Sequence, residues 1–162
     1  MPETLFGLPA HPLIVHATVV LVPLGALLVL LHAFWPAARR RLGIVTPLVA
    51  LVGLVLTPLS TASGENLERM VGESDLVEKH SELADGLLPW MIGLFVMAVV
   101  VYLLGRRPTG VRRALSVAAA VLAVVAVVGV TQQVVRIGHS GAAATWSDTA
   151  SASPDRPDGD DD

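Results

Sequence analysis

HPLIVHATVVLVPLGALLVLLHAF, residues 11–34, is apolar for long enough to cross a bilayer, yet two histidines stand at its start. A membrane-spanning helix needs about 20 mostly apolar residues, and three further segments qualify. The expected spans are roughly residues 13–34, 42–60, 83–104 and 114–135. Short connections, WPAARRR and GRRPTGVRR, join the first to the second and the third to the fourth. Short connections make antiparallel neighbours. The expected fold is therefore all-α: an integral membrane four-helix bundle, up-down-up-down.

Composition points the same way. Of the 162 residues, 53% are hydrophobic and only 15% charged, and mean hydropathy is +0.66. A soluble domain of this size needs more charge to cover its surface. One transmembrane domain over residues 1–146 is expected. The segment SDTASASPDRPDGDDD, residues 147–162, is an acidic, low-complexity tail expected to be disordered. The first ten residues lack the basic stretch of a signal peptide, so the first apolar run reads as a retained span. The chain has no cysteine. Disulfides, thiolate metal sites, Cys-ligated iron–sulfur clusters and covalent haem attachment are thus excluded.

The charges are strongly partitioned. Arg39, Arg40 and Arg41 lie in the first connection, and Arg106, Arg107, Arg112 and Arg113 in the third. Seven of the eleven Lys and Arg residues are there, with none of the fourteen acidic residues. The positive-inside rule places both connections in the cytoplasm of a plasma membrane. Both termini and the acidic segment between spans two and three are then extracytoplasmic. That segment, SGENLERMVGESDLVEKHSELADG, has apolar residues spaced for an interfacial helix, at Leu67, Met70, Val71, Leu76 and Val77.

Four histidines collect at the outer end. His11 and His16 open span one, His80 precedes span three, and His139 follows span four. His32, at the other end of span one, is expected to be interfacial without a special role. Gln132, Arg136 and His139 are spaced i, i+4, i+7 and share one helical face. Thr57, Thr61 and Gly64 repeat that spacing on span two. Polar groups within a membrane are costly and usually face a bundle interior or a cavity. The candidate cofactor-binding residues are His11, His16, His80, His139, Arg136 and Gln132.

Four stretches, GLPAHPLIVH, TPLSTASGENLE, EKHSELAD and QVVRIGHSGAAATW, resemble the bacterial membrane proteins grouped as domain of unknown function 2231. The resemblance covers roughly residues 5–146. It implies four helices and implicates His11, His16, His80 and His139. Many relatives carry an aromatic followed by proline after the second histidine, where this chain has Ala17 and Thr18. Some relatives are joined to Rieske or cytochrome-type modules, which implies electron transfer.

Three readings of the histidines stand beside one another. The first is haem b held by histidines from different helices, with Arg136 pairing a propionate and an extracytoplasmic redox partner such as a Rieske or cytochrome-type protein. The second is a non-haem metal ion on His16, His139, His80 and His11, with Glu78 or Glu82 available. In the third, the imidazoles only hydrogen-bond helix ends and loops. Catalysis of its own is not expected: there is no nucleophile motif, phosphate loop or embedded carboxylate pair. A transporter of four helices per chain would call for a homodimer. The arginine clusters are explained by topology, so nucleic acid is not an expected partner.

Overall fold

The computed structural model describes residues 4–5, 8–71, 74–106 and 113–151. Nearly all of them are helical. A two-residue antiparallel pairing, β1 (Thr4–Leu5) with β2 (Leu8–Pro9), leads into α1 (Ala10–Phe34). Then follow α2 (Pro36–Leu42), α3 (Val45–Val71), α4 (Asp75–Asp85), α5 (Leu87–Gly105) and α6 (Arg113–Ser151). Four stretches are long and apolar enough to cross a membrane: Ala10–Phe34, Val45–Met70, Asp75–Gly105 and Ala114–Trp146. The protein is a four-helix membrane bundle, as the apolar runs require.

The four long helices form a square in which α1 packs on α3 and α6, and α5 packs on the same two. The buried face of each helix advances by three and four residues, the step that keeps side chains on one side of a 3.6-residue helix. On α1 it is Val22, Ala26 and Val29; on α5, Leu87, Met91, Leu94, Ala98 and Val101; on α6, Ala119, Ala123, Ala126 and Val130. Small residues supply all of α6's share but Val130, which lets helix backbones approach closely where lipid gives no hydrophobic reward for association. The opposite faces show bare valines and leucines, among them Val20, Leu27, Val55, Val121 and Val128. That surface belongs against acyl chains.

Local sequence explains the ends. Pro12 falls in the first turn of α1, where a missing amide costs no hydrogen bond. At the other end of α1, Arg39 folds back from α2. Its Nε donates to the His32 carbonyl at 2.9 Å and Nη2 to the Ala33 carbonyl at 2.8 Å. A cation thereby satisfies two orphan carbonyls and sits at the negative end of the helix dipole. Gly43, at φ +47°, makes the turn into α3. Ser74 caps α4 by accepting the Val77 amide, with Asp75 and Glu78 in the first turn.

Two expectations are revised. The stretch from Ser63 to Val71, with Leu67, Met70 and Val71 of the expected interfacial helix, continues α3, while Leu76 and Val77 fall on the separate helix α4. α6 has 39 residues and runs through 147–151, the start of the expected tail. At 1.5 Å per residue it is about 58 Å long, nearly twice the thickness of a hydrocarbon core. The remaining tail, residues 152–162, lies outside the described residues, as do 107–112 of the third connection.

Candidate functional site

The projecting parts of α3 and α6 carry the polar groups at the end of the bundle where α1 begins. Two histidines use the same device there. His11, on the first turn of α1, has Nδ1 3.0 Å from Ser63 Oγ and 3.2 Å from the Ser60 carbonyl on α3. His80, on α4, has Nδ1 3.0 Å from Ser140 Oγ on α6. The next residue after each serine is glycine, and the ring lies over it. A Cβ on Gly64 would come within 3.2 Å of His11 Cε1, and one on Gly141 within 3.0 Å of His80 Cε1. Glycine is what lets the imidazoles settle against the helix backbone.

Proton accounting favours one tautomer. Ser63 donates its hydroxyl to the Ser60 carbonyl at 2.9 Å, and Ser140 donates to the Ile137 carbonyl at 3.0 Å. With that single proton committed, each serine oxygen can only accept from imidazole. The Ser60 carbonyl likewise only accepts. His11, whose Nδ1 also faces the Ser60 carbonyl, carries its proton there, and the same bookkeeping at His80 points to Nδ1–H. In the neutral ring, Nε2 is left with its lone pair.

Around them the polar groups are satisfied. Thr18 donates to the Ile14 carbonyl at 3.0 Å and accepts from Ser60 Oγ at 2.7 Å. Gln133 Nε2 donates to the Leu83 carbonyl, joining α6 to α4. Thr57 donates to Gly53 at 2.9 Å. No buried side-chain nitrogen or oxygen among the described residues lacks a partner.

The expected site residues separate into two groups. His11 and His80 each turn inward onto a Ser-Gly step, the first on α3 and the second on α6. His16 is exposed and donates Nδ1–H to the Pro12 carbonyl of its own helix, because five residues turn it well away from His11. Gln132, Arg136 and His139 share a helical face, as their spacing requires, but that face is exposed and looks away from the bundle. Arg136 and His139 line a groove between α4 and α6 instead. The buried face of α6 is one residue over, at Gln133 and Ser140. Continuing the Ala119, Ala123, Ala126 stripe by the same steps arrives at 130, 133, 137 and 140, and would have found both. Thr61 likewise turns to the Pro58 carbonyl of its own helix, while Ser63 takes the buried position.

His32 is the other correction. It is 1% exposed, with Nδ1 3.1 Å from Thr46 Oγ1 and the Tyr102 ring edge-on at 6.2 Å between centroids. It is a core residue at the opposite end of the bundle, where α1, α3 and α5 meet, and not an interfacial one.

A family model described as a predicted membrane protein (DUF2231) matches residues 7–154. The chain belongs to the DUF2231 family. The match spans all four long helices and both Ser-Gly steps, so this site lies within the DUF2231 domain. No curated protein and no solved structure matches the chain.

Proposed function

We propose that this DUF2231 member is a redox-accessory protein of the bacterial plasma membrane, and that His11 and His80 would hold a haem b through their Nε2 atoms. One observation carries the reading: both imidazoles spend Nδ1–H on a Ser-Gly step and keep Nε2 free. Ligating histidines are typically fixed this way by a partner on the other ring nitrogen. The donor count favours haem over a bare ion. Among the described residues no group of three or more His, Cys, Asp or Glu could hold a metal. Zinc sites take three or four protein ligands, whereas haem iron asks the chain for only two. When bound, the group would supply one-electron chemistry; the chain's part is to hold two rings in one tautomer and orientation. On the positive-inside rule this end would face outside, and the electron partner would then be extracytoplasmic, of Rieske or cytochrome type.

A second reading has its own support. Each histidine already joins two helices, His11 linking α1 to α3 and His80 linking α4 to α6. They would then be helix clamps and nothing more. The deciding experiment is the optical spectrum of protein purified in mild detergent from haem-supplied cells, oxidised and dithionite-reduced, with metal analysis on the same sample. A Soret band with sharp reduced α and β bands is expected, lost in His11→Ala and His80→Ala and kept in His16→Ala and His139→Ala. A featureless spectrum without metal, from folded protein, overturns the haem reading and leaves the clamp.

A further inference from the structure

The groove between α4 and α6 adjoins the histidine pair through Ser140, the partner of His80, which is on its wall. It holds about 510 Å³ and is lined by Leu76, Leu83 and Val135 together with Lys79, Arg136 and His139. We propose that this groove binds one anionic phospholipid, with its phosphate at Lys79 and Arg136 and an acyl chain running down the outside of α6.

Three observations meet here. The first is charge. Lys79 and Arg136 come from two different helices onto one wall, and among the described residues neither forms an ion pair or side-chain hydrogen bond. Among the described residues no acidic side chain lines the groove, although Glu78 and Glu82 are on the same short helix as Lys79. Two cations without a carboxylate among the described lining residues select an anion. The second is the apolar remainder of the wall, which a free inorganic anion would not use. The third is what lies below. Val121, Val128 and Val135 repeat at seven-residue intervals on α6, at 57%, 58% and 63% exposure. They form an apolar track leading from the groove towards the middle of the span, while the uninterrupted apolar run of α6 ends at Val130, before Thr131, Gln132, Gln133 and then Arg136. Headgroup phosphates lie at that level, and basic pockets between transmembrane helices are where lipid headgroups bind. The inference does not rest on the haem reading.

The test is native mass spectrometry of the detergent-purified full chain, titrated separately with phosphatidylglycerol and phosphatidylcholine of identical acyl chains. The first phosphatidylglycerol is expected to bind more tightly than the first phosphatidylcholine by roughly 30-fold, at about fivefold per basic residue. The Lys79→Gln, Arg136→Gln double variant should bring the two lipids to near parity. Arg136→Lys should keep most of the preference, because the charge remains. Both cations are exposed, and an unchanged thermal transition confirms that the variant is folded. Equal binding of the two lipids by the parent protein overturns the proposal, as does a preference that survives the double substitution. Displacement of phosphatidylglycerol by an equal concentration of inorganic phosphate also overturns it, since the groove would then be a free-anion site.

Discussion

Ser140→Ala should change the tautomer of a single histidine, and the size of the change follows from the bond that is lost. In the parent protein Ser140 Oγ is the acceptor for His80 Nδ1–H at 3.0 Å, and no other acceptor for that proton is within hydrogen-bond distance. A hydrogen bond of this kind contributes about 1 kcal/mol net, which is roughly a fivefold change in the ratio of the two neutral tautomers. Alanine keeps the helix and the space, so His80 should move about fivefold towards the Nε2–H form. His11 supplies the internal contrast. Its Nδ1–H also reaches the Ser60 carbonyl at 3.2 Å, which Ser63→Ala leaves in place. The shift at His11 should be distinctly smaller. The assay is nitrogen NMR of ¹⁵N-histidine-labelled, cofactor-free protein in detergent at about pH 8.5, two units above the ordinary imidazole value. Both rings should read as Nδ1–H in the parent. Parent rings in the Nε2–H form would refute the proton accounting, and so would a His80 signal indifferent to Ser140→Ala. The first result would also remove the free lone pairs on which ligation depends.

Two further outcomes test the frame around the site. A methyl group at Gly129 would overlap the Trp90 ring, so Gly129→Ala should destabilise the α5–α6 contact by about 1–3 kcal/mol, whereas Gly138→Ala, which meets nothing within 4 Å, should not; thermal unfolding in detergent compares them. Reporter fusions at Arg40 and after residue 162 should register cytoplasmic and extracytoplasmic locations respectively, and a cytoplasmic C-terminus would reverse the sidedness assigned to the histidines.

Spans and bundle were legible because they depend on quantities summed over many residues. Twenty apolar positions outweigh any single misplacement, and short connections leave little choice of neighbour. The ends of the helices were not legible in this way. Residues 61–71 are polar enough to read as a loop, but helix continues because the His11 and Thr18 contacts hold Ser60 and Ser63 against α1. The site was half legible. Histidines at one end follow from topology, but which of them point inward depends on helix phase. A 100° rotation per residue separates Gln132 from Gln133 and His139 from Ser140. Titratable side chains drew attention to the exposed face, while the small-residue stripe recorded the buried one. Serine and glycine at 63–64 and 140–141 carry no chemistry by themselves. Their meaning appears only when a ring from another helix is laid over them.

The repetition of that device bears on which reading of the histidines is better supported. A clamp needs one donor and one acceptor across a helix seam, and each seam already has one that cannot titrate. Thr18 and Ser60 join α1 to α3 at 2.7 Å, a few residues from His11. Gln133 and the Leu83 carbonyl join α4 to α6, close to His80. An imidazole adds little holding power to either seam, since the net gain of another hydrogen bond is about 1 kcal/mol. What it adds is a second ring nitrogen that the clamp does not use. In both places a serine with its own proton committed elsewhere fixes which nitrogen that is, and a glycine gives the ring room to lie flat. Orientation and tautomer are controlled twice over, on two helices that approach the same end of the bundle. Control of that kind is superfluous for holding helices together and is what a ligand on Nε2 requires.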